Sequence, residues 1–366
     1  MKNLFFGDVC ATDSTRKLFE RCDHETLFGG LHKIFEASDF TMVNLECALT
    51  DSDRPIEKIG PPLKSPLSTA KLLRKAGVHA CGLSNNHIFD YGKKGMEDTF
   101  GALEGAKLLW TGFGMNETDA RKNLYFEKNG ERIAVIAVCE REYNYALLNR
   151  MGTRLYDCYD TIEDIQAAKF LADRVIVLYH GGKEHCRYPS PRLRKLCRAM
   201  AKSGADLILC QHSHCIGCYE EFEGCNILYG QGNFHFVRET ERIPKESSEE
   251  MWNTSLAVQY DTERNEIEWI PVKIDPSTHG AVLSDDDEKA QILRAFERRS
   301  QELKTDAWLD GWRMFCDNVK EKYTKIAYQE AVTEKDREMF AHFLDCEAHT
   351  DVWRELFYTK NLTNEL

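Results

Sequence analysis

Five short apolar runs in this chain each stop at a residue able to ligate a metal or carry a proton. They end at Asp8 in FFGD, Glu46 in VNLE, Asn86 and His87 in SNNH, His180 in VLYH, and His212 with His214 in CQHSH. Between several of the runs lie stretches with helical spacing, among them SPLSTAKLLRKAG and GMEDTFGALEGA, the second closing near Gly105. Strand signals alternating with helix signals predict an α/β layered domain. In such a domain the carboxyl ends of the strands line one crevice, so side chains distant in sequence converge there. The predicted strands are NLFFGD, TMVNLE, HACGLS, RIAVIAVC, RVIVLYH and DLILCQH.

At 366 residues the chain exceeds one minimal core. The expected division is a large α/β domain over 1–280 and a helical region over 285–366. NILYGQGNF, TSLAVQYD and EIEWIPVKI follow one another without intervening helices and read as additions to a sheet. Composition shifts at DPSTHGAVLSDDDEKA. Beyond it Trp308, Trp312, Phe315, Val319 and Tyr323 recur at spacings of three and four, one apolar helix face. REMFAHFLDCEAHTDVWRELFY adds a further helix or two. These helices offer a surface for oligomerisation or for contacts over the crevice.

The charge balance narrows the partners. A formal net charge of -12 argues against nucleic acid. An anionic polymer or phosphoester substrate would need a local positive site, or metals. The opening MKNLFFGDVCATDS is too short in apolar length for a signal sequence, and no segment reaches membrane-spanning length. A cytoplasmic chain is expected on that basis. Its 14 scattered cysteines then read as reduced, mostly buried thiols. Cys215 and Cys218 form a C-x-x-C, but no second pair completes a tetrahedral site, so small buried hydrophobes are the expected reading.

Singly, each strand-end residue is weak. An Asp in a GD pair is an ordinary turn residue. HSH says more, because alternate residues of an extended segment project to one side. Jointly, oxygen and imidazole ligands without thiolate suit Mn, Fe or Zn. A shared carboxylate with histidines and an Asn carbonyl can hold two divalent ions about 3.5–4 Å apart, an arrangement used for in-line displacement at phosphorus.

GDVC, VNLECALTD, LSNNHIFDYGKKGMEDT, VLYHGGKEHCRYPSP, GADLILCQHSHCI and ILYGQGNFHF resemble, in the same order, the motif series of the CapA family. This is the family of bacterial capsule, or poly-γ-glutamate, biosynthesis proteins, and it is similar in turn to the calcineurin-like metallophosphoesterases. The resemblance covers roughly the first two thirds of the chain and leaves the helical tail aside. It implies a four-layer α/β/β/α fold with a dinuclear site. Asp8 would bind one metal and Glu46 would bridge both. Asn86, His180 and His212 would bind the second metal, and His214 the first. His87 would stand beside the leaving group as general acid, with Asp90 orienting it or closing the turn. Two positions depart from the superfamily: Cys10 stands where a histidine is common, as a soft ligand or as one ligand fewer, and Gln211 replaces a glycine.

Candidate substrate contacts are Lys64 in IGPPLKSP, Arg187 and Tyr188 in RYPSPRLRKLCR, and Asn233 in the GQGNF motif. Arg192, Arg194, Lys195 and Arg198 extend that basic stretch as a rim or as a solvated helix face. Glu140, Arg141 and Glu142 could line the crevice or simply start a charged loop. The resulting expectation is a metal-dependent hydrolase that uses two metals to activate water on a phosphoester, in capsule or surface-polymer biosynthesis. The alternatives are a γ-glutamyl amide hydrolase and a non-catalytic polymer-binding or assembly subunit. Cys10 favours the last; retention of both Asn86 and His87 opposes it.

Overall fold

Alternation along the strands builds the layers. In the first strand Leu4 and Phe6 face one side and Phe5 the other, and in a later one Val175 and Val177 oppose Ile176 and Leu178. Strands apolar on both faces must be covered on both. The computed structural model describes residues 1–238, 243, 245, 247–328, 330 and 333–359.

The layer-forming strands are β1 (Lys2–Val9), β2 (Phe40–Leu45), β3 (Ala80–Gly82), β4 (Leu109–Thr111), β5 (Leu124–Lys128), β6 (Glu131–Cys139), β7 (Arg174–His180), β8 (Leu207–Gln211), β9 (Ile216–Phe222), β10 (Cys225–Gln231), β11 (Asn233–His235), β12 (Thr254–Asp261), β13 (Glu266–Ile274) and β14 (Ala281–Leu283). One eight-stranded sheet runs β14-β13-β12-β1-β2-β3-β4, with β11 also paired to β1. A six-stranded sheet runs β9-β10-β8-β7-β6-β5. Phe5, Met42, Ile133, Val135, Leu178, Leu209 and Leu256 pack between the two sheets.

Helices α1 (Ser68–Ala76) and α2 (Gly92–Ala106) cover the outer face of the first sheet through Leu72, Leu73, Met96 and Leu103. Helices α3 (Asp160–Leu171) and α4 (Pro191–Lys202) cover the second through Ile165, Ala168, Leu193, Leu196 and Met200. The architecture is therefore α/β/β/α, as expected. Two local details differ from the sequence reading. Helix α2 runs past Gly105 and ends where Lys107 takes a left-handed φ of +58°. A short helix, Glu249–Asn253, interrupts the expected run of strands, started by the Ser248 side chain accepting from Met251 N.

The chain continues into α5 (Asp286–Glu302), α6 (Ala307–Tyr328), α7 (Glu334–Asp345) and α8 (Glu347–Arg354). Helix α5 opens on a capping box of Asp285 and Glu288, where the composition shifts. Trp312, Cys316, Val319 and Tyr323 bury one stripe of α6 against Phe343, Val352 and Leu356. Arg299 ties α5 to β9 by donating to the carbonyls of Ile216 and Gly217. Ser190 Oγ and Arg192 Nε bind Asp351 of α8 at 2.5 and 2.9 Å. No helix among the described residues is long and apolar enough to cross a membrane. All 14 cysteines are free, and most are buried.

Candidate metal centre

The carboxyl ends of β1, β2, β3, β7 and β8 meet at one buried cluster. Close approach of backbones makes this possible. A Cβ on Gly7 would lie 1.9 Å from the Gly232 carbonyl, and Gly232 itself has φ +82°. The two glycines let β1 lie against the GQGN turn, which registers Asp8 beside Asn233. The sheets are stitched here by Gln211, whose Nε2 donates to Phe6 O at 3.3 Å and Gln231 Oε1 at 3.1 Å. Glutamine at that position therefore has a local purpose a glycine could not serve.

Two groups of ligand atoms form, and they share one residue. Asp8, Glu46 and His214 lie within 4.8 Å of one another; so do Glu46, His180 and His212. All five side chains are buried. Glu46 is fully buried, yet neither of its carboxylate oxygens has a hydrogen-bond partner among the described residues. A buried carboxylate without partners is costly unless a cation or proton compensates it. Burial drives its carboxyl up to about 7, and burial together with the Glu46 charge drives Asp8 up to about 8. Burial also pushes the His180 and His212 rings well below the usual histidine range, so both are neutral, ligand-ready imidazoles.

The ring orientations follow from second partners. Asn44 Nδ2 donates to Asp8 Oδ1 at 2.6 Å and touches His180 Nδ1 at 3.2 Å, which turns His180 Nε2 toward Glu46 at 3.3 Å. Asn86 Oδ1 lies 3.0 Å from that same Nε2, so Asn86 joins the second group. His214 Nδ1 contacts Asn233 Oδ1 at 2.8 Å, and Asn233 Nδ2 donates to Trp252 O. Asn233, taken from sequence as a substrate contact, lies at the nitrogen of His214 that also faces Asp8 at 3.6 Å and Glu46 at 4.0 Å, within the first group. His212 and His214 carry φ of +83° and +51°, left-handed values unusual for a histidine and typical of strain held at a working site. The donors fit two divalent ions: a shared carboxylate with one oxygen for each group, neutral imidazoles, and no thiolate. Cys10 belongs to neither group; its Sγ approaches Ala11 O at 3.4 Å, and a hydrogen bond with Cys47 together with burial holds its thiol well above the usual cysteine range.

His87 sits beside this cluster in a charged frame. Its Nδ1 lies 2.7 Å from Asp90 Oδ2 and 3.2 Å from Lys58 Nζ. Lys58 also donates to Asp90 Oδ1 at 2.5 Å and to Asn86 O at 3.0 Å. Burial, then the Lys58 charge, lowers the pKa of His87. Asn85 Oδ1 accepts from His87 N and Ile88 N, shaping the turn that presents Asn86 and His87.

The remaining candidates scatter. Lys64 lines a cleft of about 470 Å³ with Thr12, Ser14, Arg16, Tyr91 and Arg238. The cleft borders the His87 turn, since Leu63 N donates to Asp90 Oδ2 at 2.7 Å. Lys64 Nζ is held there by Asp53 at 2.7 Å. Tyr188 donates its hydroxyl to Glu302 of α5 and packs on Gly311 of α6, and Arg187 lies beside Cys215 and Arg299. Arg192 binds Glu140 and Asp351, while Arg194 and Arg198 bind Glu220, so these three arginines are engaged in ion pairs. Arg192 also holds Glu140 below the usual carboxylate range, against the effect of burial. Sequence reasoning missed Asn44 and Lys58, and left Glu142 undecided. Asn44 alternates with Glu46 in VNLE and shares its face, a signal that was present; Lys58 lies in a loop with no periodic signal at all.

Fold and cluster together define a class: an α/β/β/α sandwich with two histidine–carboxylate groups joined by one glutamate at the strand ends. Residues 2–238 match the family model described as bacterial capsule synthesis protein PGA_cap, so the chain belongs to that family. It is 30% identical over 308 residues to the PGA biosynthesis protein CapA of Bacillus subtilis (strain 168), covering 81% of this chain and 77% of that one. It is 29% identical over 239 residues to the capsule biosynthesis protein CapA of Bacillus anthracis, covering 63% of this chain and 58% of that one. Among solved structures, a hypothetical protein from Thermus thermophilus aligns with a TM-score of 0.45 at 17% identity, over 75% of this chain and 99% of its own.

Proposed function

We propose that this protein is a dinuclear metal-dependent hydrolase acting on an anionic substrate in capsule or surface-polymer biosynthesis, with a phosphoester as the bond cleaved. One observation carries the reading: Glu46, wholly buried and with neither oxygen hydrogen-bonded among the described residues, faces His180 on one side and His214 on the other and is common to two three-residue ligand groups. Asp8 and His214 would hold one ion, His180, His212 and Asn86 the other, with Glu46 between them. Bound there, divalent ions supply Lewis-acid polarisation and lower the pKa of water.

The chain's own residues do the rest. Asp90 and Lys58 grip Nδ1 of His87 and leave its Nε2 to exchange a proton with the leaving oxygen. Burial and the Lys58 charge lower the pKa of the resting His87, against the pull of Asp90. An anionic substrate beside it opposes that shift and raises the protonated fraction when it is needed. The cleft with Lys64, Arg16 and Arg238 gives the rest of an anionic substrate a place to lie. The names of the Bacillus relatives, which refer to PGA and to capsule, support a setting in polymer synthesis and favour a second reading, hydrolysis of a γ-glutamyl amide.

The test is hydrolysis of a chromogenic phosphodiester by metal-stripped protein refilled with Mn²⁺, beside Glu46→Ala and His87→Ala. Turnover that collapses in both variants supports the phosphoesterase. No turnover in the wild type with metal bound, and release of glutamate from a γ-glutamyl oligomer, moves the assignment to the amidase.

A further inference from the structure

The C-terminal helices lie outside the matched family region, yet one of them reaches the metal cluster. His342 of α7 stacks on Tyr143 with ring centroids 4.9 Å apart and an interplanar angle of 20°. Its Nε2 lies 3.7 Å from Glu142 Oε1. The other oxygen of Glu142 lies 4.0 Å from Nε2 of His212. The opposite nitrogen of His212, Nδ1, is buried and has no hydrogen-bond partner among the described residues. One ring therefore turns one nitrogen toward a carboxylate and leaves the other unused. Both Glu142 contacts are at ion-pair range, longer than a hydrogen bond; a metal-bound histidine commonly has its outer nitrogen facing such a second residue.

The docking around this contact is firm. Arg141 N donates to Glu347 Oε2 of α8 at 2.7 Å, and Asp351 of α8 binds Ser190 and Arg192. The loops after β6 and β7, which border the cluster, are thus both held by the C-terminal helices.

We propose that the C-terminal region completes the metal centre, with His342 as a positioning residue that holds Glu142 against Nε2 of His212 and so aims Nδ1 at the second ion. This rests on the dinuclear reading above. The helical region then has a definite role, which is to set the affinity of one of the two ions.

The experiment is a calorimetric titration of the metal-stripped, full-length protein with Mn²⁺ alone, for wild type, H342F and H342Q. Phenylalanine keeps the stacking on Tyr143 and removes the nitrogen; glutamine keeps a donor and removes the ring. The unfolding midpoint of each metal-free variant reports any loss of packing separately. The expected result is two sites in the wild type, with the weaker-bound ion lost or its affinity reduced roughly 10- to 100-fold in H342F and largely restored in H342Q. Wild-type titration of H342F would overturn the proposal. Equal weakening in H342F and H342Q would overturn the donor role of His342. A wild type that takes up no second ion would defeat the dinuclear reading itself, and this one with it.

Discussion

The side chains at the centre each lie against a polar neighbour. Asn44 contacts His180, Asn233 contacts His214, and Asp90 and Lys58 contact Nδ1 of His87. On the proposed reading His87→Ala removes a proton donor and no ligand, so it should lower kcat roughly 100- to 10,000-fold while metal content stays at the wild-type level. Inductively coupled plasma analysis of the purified variant, beside its kinetics, checks both halves. The buried carboxylates also make the metal-free protein pH-sensitive. Asp8 and Glu46 have folded-state pKa values raised to about 8 and about 7, above their unfolded values, so they hold extra protons when folded. Their contribution is lost as pH rises through those values. His180 and His212 are shifted downward, so their contribution is lost as pH falls below the ordinary histidine value of about 6.5. The two effects oppose each other below the histidine value, so the metal-free unfolding midpoint should be highest on the acid side of neutrality and fall as pH rises through 7, and Asp8→Asn should flatten that alkaline fall. Thermal melts across the pH range with chelator present decide this. The residues of the two candidate groups were legible in sequence because each stands at the end of an apolar run. Their polar neighbours were not: a residue that contacts another's side chain carries no spacing of its own, and Lys58 sits in a loop whose path only the fold determines.

Among the elements, the strands were the most readable. Runs such as RVIVLYH are apolar on both faces and become central strands of packed sheets, and the Trp308–Tyr323 spacing became the buried stripe of α6. The short helix at Glu249–Asn253 went unread because a five-residue turn offers too little periodicity to detect. The pairing of β11 with β1 was also hidden, since it depends on the close approach of Gly7 and Gly232 rather than on any local pattern. What fastens α8 to the sandwich is the buried pairing of Asp351 with Ser190 and Arg192. Removing one partner leaves Arg192 with Glu140 alone. Asp351→Ala should cost about 3 kcal/mol, near the low end for a broken buried pair. Urea unfolding monitored by tryptophan fluorescence measures it, and an unchanged midpoint would mean that the helices dock through Trp312 and its apolar neighbours instead.

At the scale of the molecule, the candidate metal cluster draws on both sheets. Asp8, Glu46 and Asn86 come from the first, His180, His212 and His214 from the second. Ions bound there would tie the two layers together, so loading should stabilise the whole sandwich by mass action. With Mn²⁺ at 100 times its dissociation constant, each site should add about 2.7 kcal/mol to the unfolding free energy. Glu46→Ala should abolish most of that gain, because the two groups lose their common ligand. The most direct measurement is anomalous diffraction from crystals of the metal-stripped protein soaked in Mn²⁺. Two peaks are predicted, one on each side of Glu46, the first against Asp8 and His214 and the second against His180, His212 and Asn86. A single peak away from Glu46, or none at full soaking, would contradict the dinuclear site.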